Sequence, residues 1–227
     1  MRRPTAVALT LLLAGCSSPP EDPPEERPRA PEPPGQADLC DGVANAYECA
    51  TLVEPRRLAD HDAAARSGDT LTIERPDGGE RTFVDRGTAA ATVKFAYAGY
   101  LSAIDQHVVS VHFYEGGEYR LVDGSSGRVT TVASWPVVSP NRGRVVVASD
   151  AGVAGYSPNL LQVWRVRPDG LVLEWAREPA WGAVDARWVD STTVRFRKIV
   201  WEGCEALEGC PSDATLRLRD DEWSLEP

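Results

Sequence analysis

The sequence predicts an all-β domain: four blade-like β-hairpin repeats that build a small β-propeller, closed or incomplete, behind a short N-terminal helix. Three observations carry this. After Asp69 nearly every segment alternates apolar and polar residues between turn-forming Gly, Pro, Asn and Asp, the pattern of half-buried strands. Four segments are alike, TLTIERPDGGERTFVD from Thr70, EYRLVDGSSGRVTTVA from Glu118, LQVWRVRPDGLVLEWA from Leu161 and ATLRLRDDEWSLEP from Ala214, each a strand, an Asp/Gly turn and a strand. Their turn residues Gly78, Gly127, Gly170 and Asp220 stand 49, 43 and 50 residues apart, a period that propeller blades produce. A twisted β-sandwich is the alternative arrangement of the same strands.

The chain divides into residues 1–15, 16–38, 39–68 and 69–227. Arg2 and Arg3 followed by the apolar run Ala6 to Ala14 have the layout of a secretory signal peptide, too short to cross a hydrocarbon core of about 30 Å. From Ser17 to Asp38, prolines, glutamates and arginines dominate without aromatic or β-branched residues. Such a segment cannot bury enough surface to offset its ordering entropy, and is expected to be a disordered tether.

The run ends in Leu13-Ala14-Gly15-Cys16, which resembles the bacterial lipobox. That resemblance implies cleavage before Cys16, lipid of the palmitate type on its thiol and amine, and a lipoprotein held at the membrane. Ser17 after the cysteine implies sorting to the outer membrane, with the domain facing the periplasm or the outside.

Within residues 39–68, Asp41 is expected to cap a helix carrying Val43, Tyr47 and Ala50 at helical spacing, with Pro55 ending it. Between the hairpins a second strand pair recurs, in WPVVSPNRGRVVVAS from Trp135 and DARWVDSTTVRFRKIV from Asp185, and less regularly in TVKFAYAGY with QHVVSVHFY. The first hairpin, Thr70 to Asp85, lacks such a pair before it. Pro136 to Val147, with Ser139-Pro140-Asn141 at the turn, resembles the S-P-D-G-K pattern of TolB-type, WD-repeat-like propeller repeats; Asn141 and Arg142 stand in place of the usual Asp and Gly. Through YEGGEYRLVDGSSG, SWPVVSP and LLQVWRVRPDGLVLEW the chain also resembles uncharacterised bacterial lipoproteins, which implies a fold and no activity.

Export would place the cysteines in an oxidising compartment. Cys204 and Cys210 flank a short loop and are expected to pair. Cys40 and Cys49 remain, but a helix continuous from Asp41 would hold them about 13 Å apart at about 1.5 Å rise per residue, whereas a disulfide needs Cα atoms within about 7 Å. Either the helix starts later or these two do not pair. The spacings lack the C-x-x-C form of a metal site.

Function is less legible. A net charge of −10 argues against nucleic acid as a partner. The chain lacks G-x-S-x-G, H-E-x-x-H, S-x-x-K and a phosphate-binding glycine loop, so no catalytic residue, cofactor or metal site is assigned. His107 and His112, an odd number apart in one strand, point to opposite faces. Asp60-His61-Asp62 reads as a solvated connection. Two features suggest a binder. VRFRK and LRLR would set Arg195 and Arg197 with Arg217 and Arg219 on one face, a ladder suited to a sulfated, phosphorylated or uronic-acid polymer. Of seven tryptophans, five fall in or beside strands, while Trp181 and Trp201 lie nearer loops and are expected to be exposed aromatic contacts. The expectation is therefore a non-catalytic binding or scaffolding module of the cell envelope, with an envelope protein or glycan as partner. A periplasmic hydrolase using scattered carboxylates is the alternative, because that chemistry leaves no compact sequence trace.

Overall fold

The computed structural model describes residues 40–226 apart from 44, 89–90, 153–154 and 206–208. The signal peptide, Cys16 and the Pro/Glu-rich segment to residue 38 lie outside the described residues.

The helix, α1 (Ala46–Ala59), begins after the expected cap. Asn45, with extended backbone, accepts the Glu48 N–H at 3.0 Å and serves as N-cap in place of Asp41. This late start lets Cys40 approach Cys49, and the two form a disulfide with Cα atoms 5.1 Å apart. Cys204 and Cys210 form the other, at 5.7 Å. Pro55 lies inside α1 and does not end it. Buried Val53 and Glu54, immediately before Pro55, bind the helix to the sheets, and tertiary contact overrides the local break.

Among the described residues fifteen strands make four antiparallel sheets, each a meander in chain order. The first holds β1 (Ala64–Ser67), β2 (Thr70–Glu74) and β3 (Glu80–Val84). The second holds β4 (Val93–Leu101), β5 (Gln106–Phe113), β6 (Gly117–Asp123) and β7 (Val129–Val132). The third runs β8 (Val137–Val138), β9 (Arg144–Ser149), β10 (Leu160–Arg167) and β11 (Gly170–Arg177). The fourth runs β12 (Gly182–Asp190), β13 (Thr193–Val200), β14 (Cys210–Arg219) and β15 (Glu222–Glu226). The last hairpin turns on Asp220 and Asp221, both at positive φ, as a two-residue turn requires.

The sheets do not form a propeller. They are separate and unclosed, and stack in sandwich-like layers with an apolar core between each consecutive pair. Leu71, Ile73 and Phe83 of the first sheet meet Phe95, Tyr97, Val109 and Val111 of the second. Val108, Leu121 and Val132 meet Val145, Val147 and Leu171 of the third. Val146, Leu161 and Val163 then meet Ala183, Val194, Phe196, Leu216 and Trp223 of the fourth. Among the described residues no packed seam joins the first sheet to the last. The two faces that would have to meet are polar: Thr72, Glu80 and Thr82 on the first sheet, Arg195, Arg197, Asp213 and Arg217 on the fourth. Burying such faces against each other would desolvate charge without an apolar gain.

Candidate functional site

A cleft of about 580 Å³ opens where the start of α1 crosses the hairpin of β5 and β6. Asn45 to Tyr47 form one wall, Ser110 to Tyr114 and Gly116 to Tyr119 the other. A small recess continues inward past Ala50 and Val53 to Tyr97 and Ala98. The helix creates this space. It packs mainly against β4, so its N-terminal turn overhangs the outer part of the hairpin.

His112 sits at the base. Its Nε2 lies 3.0 Å from Ser110 Oγ, and its ring meets that of Tyr47 edge-on at 5.5 Å. Burial pushes the imidazole down to about 4 against the opposing pull of Asp85, so it is neutral at pH 7. The Ser110 hydroxyl also lies 3.2 Å from the Ala96 carbonyl; its single proton can serve one partner at a time. Asp85 behind the site accepts the Phe95 N–H at 2.8 Å and pairs with Lys94 at 3.6 Å. Burial, then the Asp85 carboxylate, pushes the Tyr47 phenol up. Glu118 lines the cleft and is paired with Arg120.

The rim is aromatic. Phe113 is 39% exposed, Tyr114 68% and Tyr156 56%. Tyr156 reaches this rim from the loop between β9 and β10: a Cβ built on Gly116 would lie 2.9 Å from its carbonyl oxygen. Turn positions favour small polar residues, so three exposed aromatics around one turn are unusual.

A second cluster lies on the other face of β5. The His61 ring meets those of Tyr100 and His107 at 4.2 and 4.7 Å. Tyr97 Oη lies 3.0 Å from His107 Nδ1, and the Tyr100 hydroxyl donates to Asp105 at 2.7 Å. Burial, then His61, lowers His107 to about 4 against the pull of Asp105; burial first, then its bond to Asp105, raises Tyr100 to about 12. His61 thus turns inward from the exposed Asp60 and Asp62 that flank it in sequence. His107 and His112 belong to different clusters, as their opposite faces require.

Arg195, Arg197, Arg217 and Arg219 do share the outer face of the fourth sheet, but not as an uncompensated ladder. The register sets Arg217 opposite Thr193, Arg195 opposite Thr215 and Arg197 opposite Asp213. Asp185 accepts from Arg197 at 2.8 Å, and Glu226 pairs with Arg217 at 3.3 Å and Arg219 at 2.8 Å. Trp181 and Trp201 are half-buried. Trp181 stacks on Phe196 with ring centroids 5.8 Å apart and carries the Lys198 ammonium 5.2 Å from its centroid, while the Trp201 indole donates to Asp150 at 3.0 Å. Among the described residues the exposed aromatics are Phe113, Tyr114 and Tyr156, and the signal for the first two is present in FYEGGEY, adjacent aromatics at a turn.

Among the described residues no group of three or more His, Cys, Asp or Glu could hold a metal ion, and no helix is long and apolar enough to cross a membrane. No family model matches the chain, and neither a curated protein nor a solved structure does. The TolB-type resemblance therefore falls with the propeller: the loose S-P-N-R turn marks a hairpin between β8 and β9, a local solution that unrelated sheets share.

Proposed function

We propose that the protein is a non-catalytic binding module of the bacterial cell envelope, tethered by lipid on Cys16, whose cleft between α1 and the β5–β6 hairpin takes an uncharged glycan. One observation carries the reading: Phe113, Tyr114 and Tyr156 stand exposed around a cleft whose base is polar and neutral. Sugar rings offer apolar C–H faces to aromatic side chains, and their hydroxyls suit Ser110, His112 and the Tyr47 phenol. The test is titration of neutral envelope oligosaccharides into the full domain, followed by tyrosine fluorescence or calorimetry. Tyr114→Ala with Tyr156→Ala is expected to weaken binding at least about tenfold, equivalent to about 1.4 kcal/mol. Saturable binding that survives the double substitution removes the cleft from the proposal. For the tether, metabolic labelling with a palmitate analogue is expected to mark the wild type and not Cys16→Ser; an unlabelled wild type overturns the anchor.

A second reading, hydrolysis, draws on the same cleft. Ser110 Oγ stands 3.0 Å from a neutral imidazole, the relation that activates a nucleophilic serine. The version built on two carboxylates has less support, since Glu118 is the carboxylate lining this cleft and Arg120 holds it. Release of product from a chromogenic ester or glycoside that Ser110→Ala abolishes would favour hydrolysis; binding retained by Ser110→Ala without turnover in the wild type favours the binder.

A further inference from the structure

The outer face of the fourth sheet has a feature that the four-arginine pattern did not contain. In β12 the register against β13 shifts between Val184 and Arg187, and Asp185 adopts positive φ. The shift sets Arg187 directly opposite Arg195. Side chains so placed have Cβ atoms about 4.5–5.5 Å apart, and two like charges there destabilise the pair.

Their neighbours are compensated and they are not. Arg197 has Asp185, and Arg217 and Arg219 share Glu226. Among the described residues the side chains of Arg187 and Arg195, both exposed, have no hydrogen bond or ion pair. The chain has 34 acidic residues against 24 basic ones, so carboxylates are not scarce. The position directly across from Arg195 on β14, where a glutamate would relieve the repulsion, is Thr215. A depression of about 200 Å³ lies between these side chains, lined by Arg187, Arg195, Asp213 and Thr215.

We infer that this depression is an anion site, in which Arg187 and Arg195 hold a phosphate or sulfate monoester group with the Thr215 hydroxyl as a further donor. Two guanidinium forks present planar pairs of N–H donors that match the oxygens of such a group. The bound anion also removes the Arg187–Arg195 repulsion, so binding and stability are coupled. Asp213 at the edge lowers the net positive charge and limits affinity. The site is separate from the aromatic cleft and does not rest on it.

The experiment uses two probes that present a monoester on different carriers, glucose 6-phosphate by calorimetry and vesicles containing phosphatidic acid by co-sedimentation. Binding is expected to be saturable and to fall at least about tenfold in Arg187→Gln and in Arg195→Gln, while Asp213→Asn tightens it a few-fold. The two glutamine variants are expected to unfold at a higher temperature than the wild type in anion-free buffer. Both arginines point outward, so the variants should fold, which circular dichroism checks. Binding of glucose 6-phosphate assigns the site to a phosphorylated glycan; binding of vesicles alone assigns it to a lipid headgroup. Absence of saturable binding to both probes, or affinity unchanged in both glutamine variants, overturns the inference.

Discussion

The two ends of the stack are fastened by the same device in different settings. At the first end Glu54 of α1 accepts from Arg66 at 2.6 and 2.9 Å and from the Tyr97 N–H at 2.7 Å, tying the helix to the first two sheets. At the last end Glu174 of β11 accepts from Arg144 and Arg165 at 2.9–3.2 Å and from the Trp223 indole at 3.2 Å, tying the third sheet to the fourth. The difference lies in where the carboxylate comes from. A helix that supplies it becomes part of the wall and leaves a cleft beside itself. A strand that supplies it lets Trp188 and Trp223 fill the seam, and chemistry moves to the outer face of the sheet.

The largest expected effect separates these two clamps. The Glu54 side chain is 7% exposed, so Glu54→Ala strands the Arg66 guanidinium and is expected to cost about 3–5 kcal/mol. Glu174 is 14% exposed; Arg144, equally covered, keeps a bond to the Ser191 carbonyl and Arg165, 37% exposed, can turn to water, so Glu174→Ala is expected to cost about 1–3 kcal/mol. Urea unfolding of the two variants measures both. Equal or reversed losses would break the comparison.

Acid sharpens it. His107 is almost fully buried and held down to about 4, below its ordinary 6.5. The unfolded chain therefore takes up a proton as pH falls from 6.5 towards 4 while the folded chain does not, and stability is lost across that window. For His107 the loss is on the order of 2 kcal/mol at pH 5, and His112, also held near 4, adds in the same direction. Burial would raise Glu174, but its bonds from Arg165, Arg144 and Trp223 bring it down to about 2 from 4.5. Its contribution is complete above 4.5 and is lost only as pH falls from there towards 2. Regional hydrogen exchange at pH 5 should show the helix and second sheet opening while the last seam stays protected, and His107→Gln should reduce that sensitivity. Protection lost first around Trp223 would contradict the order.

The sequence made the strands legible because alternation is a local property: one residue's face follows from its neighbour's. The hairpin turns were legible for the same reason, through residues such as Asp220 that tolerate positive φ. Closure was not, because it depends on which sheet faces meet, and Thr72 or Arg217 looks the same in sequence whether its face is covered or wet. The clusters were hidden likewise. Tyr47, His112 and Tyr156 come from three distant segments, and His61 with His107 from two, so nothing in the spacing announced them. The partner of Arg187 is likewise hidden in the sequence, because the shift in β12 reassigns it. Cys40 and Cys49 show an intermediate case: the requirement for Cα atoms within about 7 Å left either a late helix start or no pairing, and the start after Asn45 resolves it in favour of the disulfide.

The smallest predicted effect concerns what the repeat does. Successive hairpin turns bind each other along one edge of the stack. Arg75 of the first donates to the Ser126 carbonyl at 2.8 Å and Arg81 to that of Gly127 at 3.0 Å, and Ser126 donates to the Asp169 carbonyl of the third at 3.3 Å. The period of the first three turn residues thus reports a line of touching turns, which an open stack keeps as well as a ring does. Gly78 and Gly127 both have positive φ, at 81° and 68°, so alanine at either carries the left-handed strain of about 1–2 kcal/mol. Around Gly78 a Cβ meets nothing within 4 Å, whereas at Gly127 it would lie 2.7 Å from Arg75 Cδ and displace the side chain that joins the two turns. Gly127→Ala is therefore expected to lower the midpoint of thermal unfolding more than Gly78→Ala, by the worth of one hydrogen bond, about 0.5–1.5 kcal/mol. Equal losses would mean that the contacts between turns carry no stability, and that the apolar cores alone hold consecutive sheets together.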